Sequence, residues 1–162
     1  MTDQTAKPGT DAAIDETDRA ILRILQADAT LSLERIARKA GLSKTAVWNR
    51  IQRMQQNRVI LRNAAIVDPR KVGLSETFFI AIKTSAHDAE WLEKFYAAVQ
   101  EIPEIVEAHR LAGEIDYLLK VQVASTRHFD DFYRALVKRI SIYSVTSSLS
   151  MQTLKHQTAL PI

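Results

Sequence analysis

Between Ile14 and Ile60 apolar residues return at helical spacing, whereas from Thr77 onward alternating and helical stretches take turns, so the chain reads as two halves. In the first half, Ile21, Leu22, Ile24 and Leu25 follow the acid-rich start Asp15-Glu16-Thr17-Asp18. This predicts a helix capped by Asp15, with carboxylates at its positive end. A second, short helix is expected after Ser32, with Leu33, Ile36, Ala37 and Ala40 turned inward. Gly41 should stop it, because a left-handed terminal position is cheap only for glycine. Ser43 then caps a third helix, whose inner side is Val47, Ile51 and Met54 and whose outer side is Lys44, Thr45, Trp48, Asn49, Arg50 and Arg53.

In the second half, Phe78, Ile80 and Ile82 alternate as a strand. Trp91, Leu92, Phe95 and Val99 repeat as a helix, with Ser85 as the expected cap and Asp88 three residues on. Ile105 to Leu111 and Tyr117 to Val123 read as two strands joined by a tight Gly113-Glu114 turn. Phe129, Phe132, Leu136, Val137 and Ile140 mark another amphipathic helix, and Tyr143, Val145, Ser147, Leu149 and Met151 a last strand. The order β-α-β-β-α-β is that of a ferredoxin-like sandwich, and the chain as a whole is of the α+β class. Between the halves, Asp68-Pro69 and Gly73 break the pattern, and Ala64 to Val67 read as a short strand.

The first half carries the spacing of a helix-turn-helix, in which two helices are locked at a steep angle so that the second can lie in a major groove. Counting from Leu33, Ala37 falls where the helices approach most closely, Gly41 makes the turn, and Leu42 and Val47 fill the space between them. Charge supports this reading. The net charge is only +3, but no Asp or Glu occurs between Glu34 and Val67, while Arg35, Arg38, Lys39, Lys44, Arg50, Arg53, Arg58 and Arg62 all lie there. Such a stretch attracts a polyanion. On the third helix Lys44, Arg50 and Arg53 can neutralise phosphates or donate to guanine, and Thr45 and Asn49 can meet base edges. Trp48 could equally pack beneath the domain or touch DNA.

The rest of the composition mostly excludes. Cysteine is absent, which removes disulfides, thiolate nucleophiles and cysteine-rich zinc sites and points to the cytoplasm. No apolar run approaches the roughly 18 residues of a membrane span. The start MTDQTAKPGTDAA carries acids and Pro-Gly where an export signal would be basic and then apolar, and reads as a flexible lead-in. His87, His109, His128 and His156 share no short spacing, so neither a metal site nor a catalytic histidine is expected. No phosphate loop or nucleophile elbow occurs, and the chain reads as non-enzymatic, without a cofactor.

One segment of the second half stands apart. In LAGEIDYLLKV, from Leu111 to Val121, Gly113 permits close approach of a backbone and Glu114 and Asp116 place carboxylates at a turn. As structure alone it is a hairpin. Ser144, Thr146, Ser148 and Ser150 fall on one face of the last strand, where small hydroxyls can line a polar pocket or a subunit interface.

These motifs are similar to those of the Lrp/AsnC family of leucine-responsive and asparagine-responsive regulators. They are DETDRAILRILQADATLSLERIARKAGLSKTAVWNRIQRM, the linker IVDPRKVGL, and GEIDYLLKV. The ending TSSLSMQTLKHQTALPI resembles a branch with cysteine-responsive and amino-acid catabolic members, and its small polar residues at Ser147 to Ser150 argue against leucine as effector. The resemblance implies a winged helix-turn-helix, a hinge strand, and a ferredoxin-like domain that dimerises through its sheet, with dimers assembling to tetramers or octamers. It also implies an amino-acid effector held between subunits by Ala112, Gly113, Glu114, Asp116 and Tyr117, with Thr146 and Ser148. The DNA-binding set would be Ser43, Lys44, Thr45, Trp48, Asn49, Arg50 and Arg53. The organisation expected is therefore a flexible segment over residues 1–13, a helix-turn-helix over 14–61, a hinge and linker over 62–74, and an effector-binding and dimerisation domain over 75–162. The function expected is sequence-specific, amino-acid-responsive regulation of transcription from double-stranded operator DNA; a nucleoid-type protein that wraps DNA without a ligand is the alternative.

Overall fold

The computed structural model describes residues 13–85 and 88–162. All but the last residue of the expected lead-in, and His87, lie outside the described residues. The chain divides into two compact units: one runs to Ala65 and takes in Lys155–Ile162, and the other is Ile66–Leu154.

The first unit is built on three helices, α1 (Glu16–Ala27), α2 (Leu33–Ala40) and α3 (Lys44–Gln56). Each begins where a short polar side chain can take an orphan amide. The Asp15 carboxylate accepts from the Asp18 amide at 2.7 Å, and the Asp18 carboxylate accepts from the Asp15 amide at 3.2 Å, a reciprocal capping box. Ser32 and Ser43 accept from the amides of Arg35 and Ala46. Gly41 adopts φ 66°, ψ 33°, ends α2 and lets the Leu42 amide reach the Ala37 carbonyl at 3.0 Å. The core is Ile21, Leu22, Ile36, Ala37, Val47, Ile51 and Met54, all at positions the periodicity turned inward.

After α3 the backbone up to Asp68 forms no strand, so neither a wing nor the hinge strand expected at Ala64 to Val67 is present among the described residues. The segment has extended-strand composition but no neighbour to complete a ladder. A strand is a pairing, and periodicity alone cannot supply the partner.

In the second unit a 3-10 turn at Pro69–Val72 leads into β1 (Glu76–Lys83), α4 (Ala89–Glu101), β2 (Ile105–Arg110), β3 (Tyr117–Val123), α5 (Thr126–Arg139) and β4 (Ser144–Leu149). The four strands form one antiparallel sheet in the order β2-β3-β1-β4, the ferredoxin-like arrangement. Phe78, Ile80, Ile82, Leu119, Val121 and Val123 share one face with Trp91 and Phe95 of α4 and Phe132 and Leu136 of α5 in a single core. Both helices cover this face. Aromatic packing is dense: Phe78 stacks on Phe129 at 3.8 Å between centroids, and Phe95 lies 4.3 Å from Tyr117.

Two local expectations are corrected. α4 is capped by Asp88, whose carboxylate accepts from the Trp91 amide at 2.8 Å, not by Ser85. Asp88 stands one residue before the first helical turn, the position from which an oxygen reaches the third amide. The connection between β2 and β3 is a six-residue loop, residues 111–116, closed by the Leu111 amide on the Asp116 carbonyl at 2.8 Å, and not a two-residue turn. Among the described residues no helix is long and apolar enough to cross a membrane.

Candidate nucleic-acid interface and effector site

The residues assigned to the outer side of α3 sort into three groups. Thr45, Trp48 and Asn49 are exposed and, with the half-buried Gln52, lie at i, i+3, i+4 and i+7, one stripe along the helix. Trp48 is 48% exposed and is not part of the core of its unit. Gln52 was missed, although its spacing from Thr45 carries the signal; its amide nitrogen bonds Gln55 at 3.2 Å.

Ser43 and Lys44 begin the helix. The Ser43 hydroxyl is used as the cap. The Lys44 ammonium pairs with Glu34 of α2, and that hydrogen bond is the main reason the Glu34 carboxyl is held below its ordinary value.

Arg50 and Arg53 do not extend freely from α3. Arg50 Nη1 donates to Asp15 at 2.6 Å and to Asp18 at 2.8 Å, and Arg53 Nη2 donates to the other Asp18 oxygen at 2.5 Å. Asp18 is 1% exposed, so its charge is compensated by two guanidiniums of the third helix and by the Asp15 amide. The hydrogen bond from Arg50 is also the largest cause of the lowered Asp15 pKa. Reading Arg50 and Arg53 as outward phosphate donors is therefore revised: they tie α3 to the start of α1. The acid-rich start announced a cap at Asp15 but gave no sign that Asp18 is buried. By contrast, Arg35, Arg38, Lys39, Arg58 and Arg62 are exposed and make no ion pair among the described residues. They leave the acid-free stretch with a net cationic surface.

In the second unit the expected effector residues fall at three places. Ala112, Gly113, Glu114 and Asp116 occupy the β2–β3 loop. A Cβ added at Gly113 would meet no atom within 4 Å and its φ is not positive, so nothing within the chain requires glycine there. The loop is tied to the end of β1: Lys83 Nζ donates to Glu114 at 3.0 Å, the Asp116 amide to the Ile82 carbonyl at 3.0 Å, and the Thr84 amide to the Asp116 carboxylate at 2.8 Å. Lys83 and Thr84 were missed; the cation closing an alternating apolar strand was the available signal.

Thr146 and Ser148 sit in register with Ala81 and Phe79, on the sheet face turned away from the helices, together with Ser144 opposite Lys83. That face bears the small hydroxyls, as expected. Thr146 is nevertheless two strands from β3, roughly 10 Å at 4.8 Å per strand, so one chain does not bring Thr146 and Asp116 into contact.

Tyr117 is elsewhere. It is 3% exposed, on the helix-covered face between Phe95 and Trp91, and burial pushes its phenol up. This contradicts its placement beside Thr146 and Ser148. Tyr117 shares its face with Leu119, Val121 and Val123, so the alternation already placed it in the core. It lines instead an open groove of about 550 Å³ between α4 and β2, with Tyr96, Val99, Val106 and Arg110. Of the histidines, His109 lies 3.6 Å from Glu107, and His128 Nε2 lies 3.1 Å from Glu104 while its Nδ1 accepts from the Ala124 amide. No group of three His, Cys, Asp or Glu that could hold a metal occurs among the described residues.

Comparison with known proteins agrees with this division of labour. The AsnC-type helix-turn-helix domain model matches residues 14–55, and the Lrp/AsnC ligand binding domain model matches residues 77–160. The chain belongs to the Lrp/AsnC family. It is a DNA-binding transcriptional regulator with a ligand-binding domain. The chain is 43% identical over 149 residues to the glutamate uptake regulatory protein of Zymomonas mobilis, covering 92% of this chain and 91% of that one. Among solved structures, an AsnC family transcriptional regulator from Agrobacterium tumefaciens superposes with a TM-score of 0.87 at 45% identity, covering 91% of this chain and 96% of that one. A Neisseria meningitidis transcriptional regulator solved as its L-methionine complex gives 0.87 at 27% identity, covering 92% and 97%.

Proposed function

We propose that this regulator reads operator DNA with the Thr45, Trp48, Asn49 and Gln52 stripe of α3, and that a free amino acid tunes its DNA binding from the sheet end where Lys83, Glu114 and Asp116 meet. The observation that carries the first part is the stripe itself. Four polar or aromatic side chains share one face of a helix that itself carries no acid, and that helix is locked to α1 through Asp18. A recognition helix must present base-reading groups in a fixed orientation, while flanking cations such as Arg35, Arg38 and Lys39 take phosphates.

For the effector, Glu114 and Asp116 supply acceptors for an ammonium group, and Lys83 with loop amides supplies donors for a carboxylate. Relatives solved with L-methionine support an amino acid as the class of ligand. Because one chain leaves Thr146 and Ser148 apart from the loop, the site is completed by a second copy, in a dimer that assembles further to a tetramer or octamer. The protein acts in the cytoplasm, without catalysis or a cofactor.

Two titrations test this. Asn49→Ala is expected to lose about 1–3 kcal/mol on operator DNA and little on random duplex. An unchanged ratio of the two affinities removes Asn49 from the reading set. A thermal-shift scan of the free amino acids is expected to find one that stabilises the protein by about 2.7 kcal/mol at a hundred times its Kd. That shift should vanish in Asp116→Ala, and its persistence would put the ligand elsewhere.

A further inference from the structure

The helical unit contains a segment that no helix-turn-helix requires. Lys155–Ile162, which follow the ferredoxin-like unit in the chain, belong to the first unit. The seat is specific. The Gln26 side chain of α1 accepts from the Leu160 amide at 2.6 Å and donates to the Leu160 carbonyl at 3.3 Å, so one side-chain amide reads both polar groups of one residue. One helical turn earlier, Arg23 Nη1 donates to the Ile162 carbonyl at 3.1 Å while its Nη2 is held by Glu16 at 2.5 Å. Ile162 is half-buried against the core of Ile21, Leu22 and Val47, although the residues before it from Met151 are exposed. The bend that delivers it is pre-formed: the Ile162 amide bonds the Leu160 carbonyl at 3.0 Å across Pro161, a three-residue turn whose central φ proline fixes in advance.

We propose that residues 155–162 form a strap that completes the DNA-binding unit on the Arg23–Gln26 face of α1 and gives the ligand-binding unit a second covalent line to it. The first line is the chain at Ala65–Ile66; the second leaves β4, the strand that carries Thr146 and Ser148, and reaches the strap after only Ser150–Leu154. In this proposal a shift of β4 is passed along Ser150–Leu154 to the strap and so to α1. Since α1 holds α3 through Asp18, tension on the strap reaches the helix that meets DNA. The seat stands on the contacts alone, whereas transmission rests on the ligand-responsive reading above.

Hydrogen exchange on the full chain tests the seat. Deleting Leu160–Ile162, or replacing Gln26 by Ala, should speed exchange of the α1 amides by roughly tenfold and leave α4 and α5 as in the parent. Unchanged α1 exchange in both variants overturns the strap. Operator titration of the deletion variant, with and without the amino acid giving the largest thermal shift, tests transmission. The variant should keep the thermal shift but lose at least threefold of the ligand's effect on DNA affinity. A full effect in the deletion variant overturns transmission and leaves the strap a brace. If no amino acid shifts the parent, the ligand reading fails, while the exchange result still decides the seat.

Discussion

The two units solve the same problem, holding a polar working surface in place, with opposite means. The ligand-binding unit does it with apolar bulk: fourteen buried hydrophobic residues, five of them aromatic, behind a four-stranded sheet. The DNA-binding unit has seven such residues among the described ones and no aromatic in its core, and it adds a buried carboxylate bonded to two arginines of its third helix. A small core can orient a helix if charges finish what packing leaves loose. The difference also follows from use. A sheet face needs only to be flat and stable, whereas a recognition helix must not rotate.

The contrast can be broken most forcefully in the larger core. Leu119→Ala, at a fully buried site on β3, is expected to destabilise the ligand-binding unit by about 2–5 kcal/mol. The chain has two tryptophans, and they divide between the units, Trp48 in the first and Trp91 in the second, so each unfolding can be followed by its own fluorescence in a Trp→Phe background. Leu119→Ala should lower the Trp91 transition and leave that of Trp48; movement of both together would mean that the units unfold as one.

Asp18→Ala comes next, at about 1–3 kcal/mol on the Trp48 transition, since Arg50 and Arg53 retain some exposure and can rehydrate when their partner is removed. Its effect on DNA should have two signs. Operator affinity falls because α3 is no longer held, while binding to random duplex rises because two guanidiniums are freed. The salt slope should steepen by up to about 0.9 for each additional phosphate contact. If operator and random affinities rise together, Asp18 is only a negative charge near DNA and not a positioning residue.

The smallest effect is on pH dependence. Asp15, Asp28 and Glu34 all have carboxyls held below their ordinary values, by Arg50, by Thr30 and by Lys44 respectively. A lowered folded-state pKa contributes stability that is complete above the ordinary carboxylate range and is lost as pH falls through the folded values. The Trp48 transition should accordingly weaken from about pH 4 downward. It should do so before that of Trp91, whose unit carries fewer such groups on a larger core; the reverse order would count against charge as the finishing element of the smaller unit.

Much of this architecture was legible in the chain. The inward positions of all three first-unit helices and the order of strands and helices in the second followed from periodicity, because burial imposes it locally. What escaped depends on partners distant in sequence. Arg50 and Arg53 read as free cations until Asp18, 32 and 35 residues earlier, was found on the inside. Ala64 to Val67 read as a strand but have no neighbour to pair with. Tyr117 was different: its alternation with Leu119 already spoke for the core, and the effector set implied by the family resemblance outweighed that signal.

The contact between Gln26 and Leu160 spans 134 positions of a chain of 162. Synthesis runs from the first residue to the last, and domains fold as they emerge, so the three helices can form on the ribosome long before their final contact exists. Closure of so long a loop waits for the intervening sandwich, whose own strand pairings are non-local and slow. Each newly made molecule thus passes through an interval in which its helix-turn-helix is folded but unstrapped. If the proposed strap forms, its seating follows the folding of the three helices and of the sandwich.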